Sequence, residues 1–96
     1  MNRNEHLLAC LSEECGEIQQ AVGKALRFGL DDGHPEKFTT NAQDIAKECQ
    51  EVIAIIEMLE SNGIIERTKT RKAIDEKKVK VLRYMAYAES RGTLTS

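Results

Sequence analysis

The sequence predicts an all-α chain, and three observations carry that expectation. Its apolar residues recur at helical spacing over long stretches. Breakers are scarce, with six glycines and Pro35 as the only proline. Charged residues make up 31% and aromatic ones 4%, a balance that favours helices over a sandwich or barrel. Ninety-six residues imply one domain, 1–96, with a modest core for which oligomerisation is a ready remedy. The expected architecture is three helices, the first two in an antiparallel hairpin, assembling as a helical bundle in an oligomer.

The first helix is expected from about Asn4 to Phe28, with Gly29 as its stop. A loop rich in turn formers, Leu30 to Thr40, follows it. The second helix is expected to begin near Asn41, a good N-cap with Asp44 three residues on, and to end before Gly63. The third is expected from about Thr68 to Ser90, ending by Gly92.

On a helical wheel, Leu7, Leu11, Ile18, Val22 and Ala25 form the apolar stripe of the first helix. Ile45, Val52, Ile56 and Leu59 form that of the second; Ile74, Val81, Leu82, Met85 and Ala88 that of the third.

Two acidic clusters stand out against this pattern, Glu13-Glu14-Cys15-Gly16-Glu17 and Glu48-Cys49-Gln50-Glu51. Carboxylates three apart on a helix project from one face. Glu14 and Glu17 lie on the flank of the first stripe; Glu48 and Glu51 lie on the flank of the second with the same rotational sense. In an antiparallel hairpin, equal offsets fall on the same side of the pair, so all four carboxylates should line one cleft. Like charges placed beside a core call for a compensating cation, and carboxylate oxygens suit hard divalent ions. A Glu-x-x-His pair on each of two helices, the mark of di-iron bundles, is absent. An oxygen-only site points to Mg²⁺, with Mn²⁺ as the alternative.

Other classes are disfavoured. No stretch approaches the roughly 20 apolar residues of a membrane span, and the N-terminus does not read as a signal peptide, so a cytoplasmic protein is expected. Cys10, Cys15 and Cys49 show neither zinc spacing nor an even count, and are expected as reduced thiols, buried or half-buried. Phe28, Phe38, Tyr84 and Tyr87 are expected as packing residues, with stacking on a base as the alternative. Met1 to Ile65 carry 12 acidic and 5 basic side chains, a net of −7; Glu66 to Ser96 carry 4 and 9, a net of +5. The basic segment is interrupted by Glu66, Asp75, Glu76 and Glu89 and has few aromatics for stacking, so nucleic acid is a weak partner. Lys78 falls inside the third stripe and Lys80 and Arg83 off it; Lys78 either snorkels to the rim or reaches phosphate across the cleft.

EExxE followed by a second ExxE on the next helix, in a short helical chain, resembles the MazG-like nucleoside triphosphate pyrophosphohydrolases, relatives of the dimeric dUTPases. The resemblance covers nearly the whole chain, Leu8 to Tyr84, and resides mainly in SEECGEIQQAVGKALRFG and DIAKECQEVIAIIEML. It implies Mg²⁺-dependent hydrolysis of a nucleoside triphosphate between the α and β phosphates, giving a nucleoside monophosphate and pyrophosphate. It also implies a homodimer or homotetramer. Glu14, Glu17, Glu48 and Glu51 match the metal-binding pairs, and Glu13 matches the carboxylate that activates water. Lys78, Lys80 and Arg83 fall in a loose version of the family's phosphate-binding NxKxxxR segment, with Lys78 at the Asn position. Glu51 stands where the family has Asp. That departure leaves a catalytically weak or inactive nucleotide-binding module as the alternative to an enzyme, beside a helical nucleic-acid binder.

Overall fold

A computed structural model describes residues 1–67 and 70–95. All three elements among them are helices: α1 (Arg3–Phe28), α2 (Asn41–Ser61) and α3 (Arg71–Ser90). The chain divides into two compact units, Met1–Glu66 and Arg67–Ser96. Among the described residues no helix is long and apolar enough to cross a membrane.

In the first unit, α1 starts one residue before the expected Asn4 because Asn2 caps it. The Asn2 side chain accepts from the Glu5 amide at 2.8 Å, and the Glu5 carboxylate accepts from the Asn2 amide in return. At the other end Gly29, with φ +97°, donates its amide to the Ala25 carbonyl. A residue with a Cβ would be strained in that conformation.

The N-cap of α2 is Thr40, and not Asn41 as the sequence suggested. Thr40 and Gln43 form a reciprocal capping box, Thr40 Oγ1 accepting from the Gln43 amide and Gln43 Oε1 from the Thr40 amide. Threonine with a glutamine three residues on completes that box, which Asn41 with Asp44 does not. Asn41 instead is buried and donates from Nδ2 to the Gly29 carbonyl at 2.8 Å, tying the end of α1 to the start of α2. The loop between them is cinched by backbone bonds from Asn41 N to Asp32 O and from Ala42 N to Leu30 O.

Helices α1 and α2 pack on each other. Ala25 and Leu59 are buried, and Leu7, Leu11, Ile18, Ala21, Ile45, Val52, Ile55 and Ile56 are half-buried around them. Val22, expected in the stripe, is 37% exposed, while Cys10 and Ala21 take part. On both helices the covered face is rotated by roughly 40° from the purely apolar stripe, toward the glutamates, at 100° per residue.

In the second unit, Thr70 caps α3 by accepting from the Ala73 amide at 3.1 Å. The expected start, Thr68, lies outside the described residues; the helix itself begins at Arg71. Its exposed face carries the i,i+4 ion pairs Arg71–Asp75 and Lys72–Glu76. Of the apolar stripe predicted for this helix, Ala88 is half-buried, whereas Ile74, Val81, Leu82 and Met85 are exposed.

Candidate metal centre

The rotation of the packed faces decides the site. It puts Glu14 close to the centre of the covered face of α1 and Glu48 close to that of α2, with Glu17 and Glu51 one turn away toward a common flank. All four are half-buried, and one carboxylate oxygen from each lies within 4.8 Å of the others. The sequence expectation that these four residues converge is therefore met. They sit in the helix–helix seam itself, deeper than the rim position that the apolar stripes alone implied.

The electrostatics of this arrangement are unfavourable without a counter-charge. Glu14 Oε2 and Glu48 Oε2 are both inaccessible to solvent and have no hydrogen-bond donor. The Glu14 carboxyl is pushed above its ordinary value of 4.5. Partial burial is the largest cause, followed by the negative charge of Glu51, a carboxyl contact with Glu51, and the charge of Glu48. A contact with Glu17 acts the other way. Sequestered acceptor oxygens without donors, facing other acceptors, form a donor set for a hard cation. Zinc would call for nitrogen or sulfur ligands, and neither histidine is in the group.

The remaining predicted residues fall outside this group. Glu13 is exposed, roughly 40° round α1 from Glu17 on the same flank, and is not among the four converging carboxylates. Lys78, Lys80 and Arg83 are exposed on α3, in the second unit; Arg83 borders a shallow concavity with Lys72, Asp75, Glu76 and Val79. Cys10 is half-buried as expected, but Cys15 and Cys49 are exposed. Each follows a seam glutamate by one residue, which turns it about 100° out of the interface. Phe28, Phe38, Tyr84 and Tyr87 are exposed as well, so none of them is a buried core residue.

Sequence reasoning missed one feature of the first unit. A cleft of about 330 Å³ lies where the end of α1, the loop and the start of α2 meet, and Lys24, Arg27 and Lys37 line it. The signal available was the clustering of three cations within a short, otherwise acidic stretch.

No family model matches the sequence, and comparison with curated proteins and with solved structures gave no match.

Proposed function

We propose that this chain is a metal-dependent nucleoside triphosphate pyrophosphohydrolase, as its resemblance to the MazG-like proteins implies, acting in the cytoplasm. The observation that supports the reading is the convergence of Glu14, Glu17, Glu48 and Glu51 in one seam, with two sequestered oxygens lacking donors. Glu51, where the family has the shorter Asp, also brings an oxygen into the group.

The four carboxylates would hold Mg²⁺, or Mn²⁺ in its place. Such an ion, when bound, screens the charge of a triphosphate and acidifies water. Glu13, exposed beside the cluster, is the proposed general base. Its carboxylate takes the proton of the attacking water while the water oxygen bonds to phosphorus. The P–O bond of the α–β bridge breaks, and its electron pair leaves with pyrophosphate. Lys78, Lys80 and Arg83 keep, on the resemblance alone, a part in binding phosphate.

The finer architecture we propose is an antiparallel α1–α2 hairpin. Arg3 and Leu7 share a surface concavity with Met58 and Asn62, while Lys24 and Phe28 share one with Asn41 and Asp44. A homodimer or homotetramer would cover Leu26, Ile53, Val79 and Leu82, which the single chain leaves exposed.

The test is pyrophosphate release from a panel of NTPs and dNTPs with Mg²⁺, with Mn²⁺ and with EDTA. Metal-dependent release from at least one nucleotide, abolished in Glu14→Gln, is expected. No release from any of them, or release undiminished in Glu14→Gln, would overturn the assignment.

A further inference from the structure

Met1 to Ile65 contain only five basic side chains: Arg3, Lys24, Arg27, Lys37 and Lys47. Three of the five, Lys24, Arg27 and Lys37, line a cleft at the loop end of the α1–α2 pair. In a segment with a net charge of −7, the cleft lining holds three cations against two carboxylates, Asp32 and Asp44.

The two carboxylates are each held by a local hydrogen bond and keep their charge, leaving the lining with a net of +1. Asp32 accepts from the Gly33 amide at 2.9 Å, and Asp44 accepts from Thr39 Oγ1 at 2.8 Å. Lys24 and Lys37 make no ion pair among the described residues. Arg27 lies over the Phe28 ring with its guanidinium carbon 4.9 Å from the centroid, which leaves its N–H edge free to donate. His34, also in the lining, accepts from the Glu36 amide at Nδ1, so a neutral ring carries its proton on Nε2 as a donor. The first amides of α2 are not the attraction: those of Asn41, Ala42 and Gln43 are taken by Asp32, Leu30 and Thr40. The side chains are.

The cleft is also in line with the carboxylates. Lys24 follows Glu17 by seven residues and Asn41 precedes Glu48 by seven, so both lie about 10 Å along their helices on nearly the same face. Long cationic side chains starting there can extend back toward the seam. We infer that this cleft receives the terminal phosphates of a polyphosphate whose reacting phosphate sits at the glutamate cluster, with Lys24, Arg27 and Lys37 as the cations that bind them there. The inference rests on the hydrolase reading for the order of events, but the anion site itself can be tested apart from it.

The first measurement is binding of inorganic pyrophosphate to the full chain in EDTA, by calorimetry, for wild type, Lys24→Gln/Lys37→Gln and Lys47→Gln. All three lysines are exposed, so these substitutions leave the packing intact. Loss of two charge-assisted contacts should weaken pyrophosphate about tenfold or more, with Lys47→Gln unchanged. Sulfate competing as well as pyrophosphate would overturn the assignment to polyphosphate, as would equal affinity in all three proteins.

The second measurement is turnover with Mg²⁺, where the double variant should raise KM by a similar factor. Wild-type hydrolysis with KM and pyrophosphate affinity both unmoved in the double variant would sink the cleft and spare the enzyme. Pyrophosphate binding that depends on Lys24 and Lys37, in a chain that releases none from any nucleotide, would sustain the cleft and sink the enzyme.

Discussion

Replacing Glu48 by Gln should stabilise the metal-free protein and destabilise it relative to wild type once a divalent cation is present. Glu48 shares the seam with Glu17 and Glu51, with carboxylate oxygens no more than 4.8 Å apart. Two unit charges at that distance repel by about 3.5 kcal/mol at an effective dielectric constant of 20 and by about 0.9 kcal/mol in bulk water. The cluster is half-buried, so the relief in EDTA should fall between those limits. For a chain of this length each kcal/mol moves Tm by about 4–8 °C, giving an upward shift of at least a few degrees. With cation at about a hundred times its Kd, wild type gains about 2.7 kcal/mol by mass action, and the variant loses most of that gain. The two melting curves, followed by circular dichroism at 222 nm, should exchange order between EDTA and saturating Mg²⁺ or Mn²⁺. A Glu48→Gln protein that melts below wild type in EDTA, with the same increment on adding metal, would refute the idea that these carboxylates repel one another for want of a cation.

The raised Glu14 carboxyl gives stability an acid-side dependence whose sign follows from linkage. Its folded value lies above the ordinary 4.5, so its contribution to metal-free stability is fully present below 4.5 and is lost as pH rises through the folded value. Urea midpoints across that range, with EDTA, should therefore decline in wild type relative to Glu14→Gln, and adding Mg²⁺ near the folded value should release protons into a weakly buffered solution. Glu13→Gln should cut kcat by about 10²–10⁴ while leaving metal affinity intact, as single-turnover assays and metal titration can check together. Leu59→Ala should cost about 2–5 kcal/mol in urea unfolding, because Leu59 is wholly inaccessible and its removal empties part of a core that has little else buried. A loss below about 1 kcal/mol would mean that the α1–α2 seam collapses around the gap.

The thinness of that core bears on the chemistry. A helix pair that devotes the middle of its interface to Glu14 and Glu48 gives up apolar contact there, and the packing falls to Ala25, Leu59 and the half-buried aliphatics on either side. Sites that depart from the folding optimum in this way are where function is expected. Gly33 shows the same economy of space in the loop: a Cβ there would run into the Thr39 carbonyl, so the chain crosses itself tightly beside the cationic cleft.

The helices themselves were legible without coordinates, because apolar spacing and capping chemistry act over a few residues. The end of α1 at Phe28 before Gly29, the loop to Thr40 and the stop of α2 before Gly63 all follow from local signals. So did the pairing of Glu14 with Glu17 and of Glu48 with Glu51, since 3.6 residues per turn fixes which side chains share a face. Periodicity does not say which of two neighbouring faces is buried, because that depends on the partner helix. The covered faces, which include Ala21 and Ala25 on α1 and Ile55 and Leu59 on α2, lie roughly 40° from the most apolar aspect of each helix. That turn moves the glutamates from a flank into the seam and carries Val22, Cys15 and Cys49 outward. The cationic cleft was hidden for a different reason: Lys24 and Arg27 belong to a helix and Lys37 to an aperiodic loop. Only the path of that loop, fixed by the bonds of Asn41 and Ala42 to Gly29, Leu30 and Asp32, brings the three together.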